Sequence, residues 1–176
     1  MDKIICLIGE SGSGKSSVAK ILEQDGYNYI KSYTTRAKRN KTEDGHIFSN
    51  ESSFSKFKKE ELIAYVEFDK CRYWSTREQF MGKGSSIYII EPCGAIELKN
   101  SIKDCEVLLI YLKVDKNERY KRMKKDRGEE IAERRMQHES HTGIFNSIKC
   151  DYVVDANRDM LQVICDIKEI ITRNNG

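Results

Sequence analysis

Residues Gly9-Glu10-Ser11-Gly12-Ser13-Gly14-Lys15-Ser16 carry glycine, lysine and hydroxyl groups in the spacing G-x-x-x-x-G-K-[ST]. That spacing suits a nucleoside triphosphate. Small residues let consecutive backbone N–H groups turn inward around phosphate oxygens. A helix starting at Lys15 adds the positive end of its dipole. Lys15 then reaches the β- and γ-phosphates, and Ser16 can ligate Mg2+. The expected ATP-binding residues are Gly9, Ser11, Gly12, Ser13, Gly14, Lys15, Ser16 and Ser17. The loop alone names no reaction, because motors, switches and small-molecule kinases share it.

A second group could hold phosphate. Ser32-Tyr33-Thr34-Thr35-Arg36-Ala37-Lys38-Arg39 sets two arginines three residues apart behind hydroxyl groups. A phosphate monoester carries nearly two negative charges, and the planar guanidinium grips its oxygens bidentately. A solvated basic turn is the plain alternative.

The apolar stretches that must position these residues alternate between strand and helix patterns, which predicts a layered α/β fold. Lys3–Ile8, Tyr27–Ile30, Ser86–Glu91, Val107–Val114 and Tyr152–Val154 read as strands. Lys15–Gln24 reads as a helix with Val18 and Leu22 on one face. Asn157–Arg173 is the clearest helix, with Met160, Ile164, Ile167 and Ile171 in register and Asn157 as its cap. Continuous apolar strands separated by helices favour a parallel sheet covered on both faces. Residues 32–83 interrupt this rhythm and read as an insertion. Residues 119–141 are strongly basic, from Arg119 through Arg135.

At 176 residues the chain is one domain's worth. Hydrophobic residues make up 39% and charged residues 34%, so the surface is heavily charged. A net charge of +3 is too mild to imply a nucleic-acid partner, and none is expected. The six cysteines are scattered singly, as reduced thiols in a cytoplasm would be, with neither zinc pairs nor a disulfide framework. No secretory pattern opens the chain, and no segment approaches a membrane span.

The Ser32–Arg39 segment resembles the acceptor-phosphate motif of the guanylate kinase family, S-x-T-T-R-x-x-R. The similarity continues, in order, through Asp44-Gly45-His46-Ile47-Phe48 and Tyr73-Trp74-Ser75-Thr76. It then runs through Ile90-Glu91-Pro92-Cys93-Gly94-Ala95, Arg127-Gly128, Arg135-Met136 and Asp151–Asp155. The resemblance implies a P-loop NTPase-type doubly wound parallel sheet with core 1–31 and 84–176. An acceptor-binding subdomain would be inserted at 32–83, and a short helical lid would span about 119–141. It implies ATP-dependent transfer of a phosphoryl group to a nucleoside monophosphate, GMP or dGMP first, with ATP and Mg2+ as cofactors.

Carried over by position, Ser32, Arg36, Arg39, Tyr73, Ser75 and Glu91 would line the acceptor site. Glu91 would also face Mg2+ through water; a strand-end charge in solvent is its alternative. Lys15 and Arg36 would act in catalysis with Arg127 and Arg135, and Arg122 is a further lid candidate. An exposed charged helix partnered by Glu129, Glu130 and Glu133 is the alternative for that segment. The family's guanine-reading glutamate has its place here at Ala64, and Glu67 or Glu91 could substitute. Trp74 stands where glycine is usual; its indole could stack on a base or fill space. Other readings are a kinase of another small phosphate ester, such as a sugar phosphate, and a non-catalytic binding module.

Overall fold

Every residue of β1 (Lys3–Ile8) is buried, as a strand apolar on both pleat faces requires when helices cover both. The computed structural model describes residues 2–38, 40–68 and 70–174. After β1 come α1 (Lys15–Gln24), β2 (Asn28–Ile30), β3 (Tyr33–Thr34), β4 (Ile47–Phe48), α2 (Glu51–Phe54), β5 (Leu62–Phe68) and β6 (Cys71–Thr76). Then follow β7 (Ser85–Ile89), α3 (Pro92–Ser101), β8 (Glu106–Lys113), α4 (Lys116–Arg127), α5 (Glu129–Thr142), β9 (Tyr152–Asp155) and α6 (Met160–Arg173).

Five strands form a parallel sheet in the order β2-β7-β1-β8-β9. The period of two along a strand sorts the residues of β1 between two cores. Ile5 and Leu7 join Ile87, Ile110 and Leu112 against α1 and α6, where Val18, Leu22, Ile164, Ile167 and Ile171 are buried. Ile4, Cys6 and Ile8 join Tyr88 and Leu109 against Ala95 and Leu98 of α3. The doubly wound α/β class expected from the sequence is the class observed. Among the described residues no helix is long and apolar enough to cross a membrane.

Two boundaries differ from expectation for local reasons. Helix α6 begins at Met160, not at Asn157; the Asp159 side chain accepts from the Leu161 N–H and caps it. Asn157 instead donates to Asp155 and accepts from the Asp115 N–H, pinning the turn after β9 to the start of α4. Strand β7 stops at Ile89 because Glu91 is the cap of α3 and Pro92 sits in its first turn. Proline is tolerated there because its missing N–H would have no helical partner.

A second, mixed sheet has the order β4-β3-β6-β5. Its register sets Tyr33 and Tyr65 on either side of Trp74. The Tyr33 ring stacks on the Trp74 indole at 5.4 Å, and Phe54 meets it edge-on at 5.0 Å. Trp74 is 1% exposed. Of the two roles open to it in the sequence, filling space is the one this packing fits. The opposite face of the same strands carries Thr34, Tyr73 and Ser75 of β3 and β6, with Ala64 and Val66 of β5 alongside.

Candidate active site

The loop between β1 and α1 has a built-in curl. Gly12 (φ 80°) and Gly14 (φ 92°) occupy the left-handed region, which other residues adopt at a cost. Gly12 has a second reason to be glycine: a Cβ there would lie 2.7 Å from the Arg119 carbonyl oxygen of α4. Gly14 is the N-cap of α1 and has no side chain to close the helix end, so the first turn can receive an anion. Ser16 and Ser17 follow, both exposed.

Lys15 is folded back over this loop. Its Nζ donates to the Gly9 carbonyl at 2.6 Å and to the Glu10 carbonyl at 3.0 Å. Burial lowers its pKa to about 8, with Arg127 adding to the effect; Glu91, Glu139 and Glu10 oppose it. Arg135 is likewise held below the ordinary arginine value, first by burial and then by Arg127, against the pull of Glu139 and Glu91. Lys15, Arg127, Arg135 and Glu91 therefore share one electrostatic neighbourhood at the phosphate loop. Glu91 itself is exposed at the head of α3.

Helices α4 and α5 grip Ser11 by all its polar groups. Its N–H donates to Glu139 at 2.7 Å, its carbonyl accepts from Arg119 at 3.3 Å, and its hydroxyl accepts from Arg135 at 3.2 Å. Arg119, 7% exposed, also bonds Glu139 at 2.8 Å and lies 3.7 Å from Glu10. The Tyr111 hydroxyl donates to Glu10 at 2.8 Å. Arg122 is turned elsewhere, to Glu118 and the Ala156 carbonyl. Lys124 pairs with Glu129, as the exposed-helix alternative anticipates for part of this segment.

On the second sheet, Arg36 is held by Glu43: Nη2 to Oε1 at 2.6 Å and Nη1 to Oε2 at 3.3 Å. Burial works against the Arg36 charge, but the bond to Glu43 and the proximity of Tyr73 hold its pKa above the ordinary arginine value. Its guanidinium carbon lies 5.5 Å from the Phe48 ring centre, and His46 meets Tyr73 edge-on at 5.7 Å. Ser32 and Ser75 converge on the Tyr88 hydroxyl of β7, at 3.2 and 2.8 Å. Ser75 is fully buried, so its oxygen serves this hydroxyl cluster. Glu67, expected with these residues, lies on the Tyr65 side of β5, exposed and opposite Arg72, away from the face of Tyr73 and Ser75. Successive strand residues point to opposite faces, so no rotamer carries it across. Arg39 lies outside the described residues.

The AAA domain model matches residues 5–142, from within β1 to the end of α5. The chain belongs to the AAA domain family. Among solved structures, it is similar to guanylate kinase from Anaplasma phagocytophilum, with a TM-score of 0.65 and 22% identity over 99% of this chain and 88% of that one. It is also similar to APE1195, with a TM-score of 0.53 and 15% identity over 97% of this chain and 94% of that one. At these identities the likeness is one of fold. No curated protein matches the chain.

Within this AAA domain, three residues at the site lie outside the sequence expectations: Glu43, Tyr88 and Glu139. Glu139 follows Arg135 by one helical turn, which puts both on the face that meets Ser11; that spacing was a usable signal. Tyr88 sits among apolar residues of a core strand, and Glu43 lies in a loop without periodicity, so neither carried one.

Proposed function

We propose that this protein transfers the γ-phosphoryl group of ATP to a small phosphorylated acceptor, a nucleoside monophosphate first and GMP or dGMP foremost among these. The observation that carries the reading is the phosphate loop itself, with Lys15 folded over its Gly9 and Glu10 carbonyls and Arg135 bonded to its Ser11 hydroxyl. Phosphoryl transfer requires positioning and charge neutralisation more than covalent chemistry. Lys15 would leave the loop carbonyls for the β- and γ-phosphates. Arg127 and Arg135 would close over the transferring group and exclude water, with residues 119–141 as the lid. Arg36, with Arg39, would hold the acceptor phosphate in line, with residues 32–83 as the acceptor subdomain. Tyr73 and Ser32 would line it, with the buried Ser75 holding Ser32 from behind. No general base is required, because the acceptor is already an ionised phosphate.

The exposed Ser16 hydroxyl at the head of α1 is a hard oxygen donor of the kind Mg2+ takes, and Glu91 could add a carboxylate through water. When bound, the ion supplies neutralisation of the donor phosphates. An intact phosphate loop with Lys15 and Ser16 argues for a triphosphate user over a non-catalytic module.

A second acceptor class is favoured by one observation. The face of the second sheet that carries Tyr73 and Ser75 presents Ala64 and Val66 from β5, and both are uncharged. A guanine ring there would leave its donors short of a carboxylate, so another small phosphate ester remains a competitor.

The test incubates the protein with Mg-ATP and each common nucleoside and deoxynucleoside monophosphate, follows ADP release, and uses Lys15→Ala as control. Turnover that depends on both monophosphate and Lys15 supports the reading. No turnover with any monophosphate removes it. Turnover of AMP or a pyrimidine nucleotide without GMP keeps the reaction and rejects guanine.

A further inference from the structure

The bond between Arg36 and Glu43 has the form an acceptor phosphate would take. A carboxylate meets the guanidinium fork end-on with two oxygens, at 2.6 and 3.3 Å. Both partners are largely withdrawn from water, with side chains 16% and 14% exposed. Among the described residues, the buried Nε of Arg36 has no hydrogen-bond partner. A buried donor left unmet is costly. The site therefore has a cation whose charge is already matched and one N–H that an incoming oxygen would satisfy.

Resting on the reading of Arg36 as the acceptor-phosphate arginine, we propose that Glu43 is an internal competitor for it and determines which acceptors enter. The loop from Arg36 to Phe48 tethers the carboxylate. A tethered ligand competes at an effective concentration on the order of millimolar or above. A free anion with a single charge gains little by displacing it. A phosphate monoester carries close to two charges at neutral pH, one more than the carboxylate it would displace. It takes the fork, and Glu43 withdraws from the dianion. The acceptor class is then phosphate monoesters; phosphodiesters and carboxylates are excluded by charge.

The test needs no turnover. Methyl phosphate, a dianion at pH 8, and dimethyl phosphate, a monoanion, are titrated separately into the wild type and Glu43→Gln without ATP. The Arg36 Nε–Hε resonance, assigned by its loss in Arg36→Lys, reports this site and not the phosphate loop. Wild type should shift with methyl phosphate and stay silent with dimethyl phosphate. Glu43→Gln should bind methyl phosphate about tenfold or more tightly than wild type, and should respond to dimethyl phosphate as well. Equal or weaker binding by Glu43→Gln, or an unchanged preference for the dianion, overturns the proposal. Should Glu43→Gln fail to fold, as judged by its thermal melt, Glu43→Asp takes its place. Its carboxylate is one methylene short, so tighter monoester binding than wild type is expected, and equal affinity overturns the proposal. Because no ATP is present, the absence of kinase turnover would leave this result standing. Turnover with an unchanged anion preference would sink only the role of Glu43.

Discussion

The carboxylate of Glu139, on α5, accepts the backbone N–H of Ser11 in the phosphate loop at 2.7 Å, across 128 residues of sequence. Its other oxygen takes Arg119 at 2.8 Å. One side chain thus ties the donor loop to both helices of the basic segment. Removing it would leave Arg119 buried with its nearest counter-charge gone. Glu139→Ala should therefore destabilise the protein by about 3 kcal/mol, because an uncompensated buried charge costs far more than the pair contributes. Glu139→Ala combined with Arg119→Met should recover most of that loss. Urea denaturation of the two variants checks this, and a double variant as unstable as the single one would contradict it.

If the loop takes a triphosphate as proposed, the lowered pKa of Lys15 should give that binding a pH dependence. In the free protein the ammonium is lost as pH rises through about 8. Bound phosphates favour the charged form, so affinity for ATP should fall above pH 8, by at most about tenfold per pH unit. Lys15→Ala should bind weakly and without this dependence. Stability of the unliganded protein moves the other way. Between about 8 and 10.5 the unfolded chain binds a proton that the folded one does not, so this group makes stability rise with pH across that window. Calorimetric titration of an ATP analogue from pH 7 to 10 is the measurement.

Arg135 reaches the Ser11 hydroxyl and lies in the field of Arg127 and Glu91. If it acts on charge that develops during transfer, Arg135→Ala should lower kcat by on the order of a hundredfold, with a smaller change in the KM for ATP. Arg122→Ala, whose side chain is turned to Glu118 and Ala156, should leave kcat within about twofold, as expected of a surface change away from the reacting groups. Steady-state kinetics on both variants separates the two arginines.

Trp74 is held between aromatic rings, and its buried Nε1 has no hydrogen-bond partner among the described residues. Trp74→Ala should cost about 3–5 kcal/mol through the cavity it leaves. Trp74→Phe forfeits no hydrogen bond and should cost less. Neither should change the ranking of acceptor bases; a changed ranking by Trp74→Phe in a competition assay would mean the indole touches the acceptor after all.

Much of the architecture was legible because it is local. The bounds of β1 and α1 follow from an unbroken apolar run, a glycine-lysine turn and a helical face carried by Val18 and Leu22. Asn157 and Asp159 are both good caps for α6 by residue type, and only the contact between Asn157 and the start of α4 decides between them. Glu67 is close in sequence to the acceptor residues, but the pleat of β5 puts it on the other face.

By itself the sequence determined that a glycine-lysine loop stands between a buried strand and a helix, inside a parallel sheet covered on both faces. Spacing and hydrophobic period act over a few residues, and those features need nothing more. Only the tertiary structure decided what each charge meets. Glu139 meets Ser11, Glu43 meets Arg36, Arg122 turns away from the loop, and Trp74 is sealed among rings. Such pairings depend on how elements far apart in the chain pack, and burial then fixes which charges must find partners.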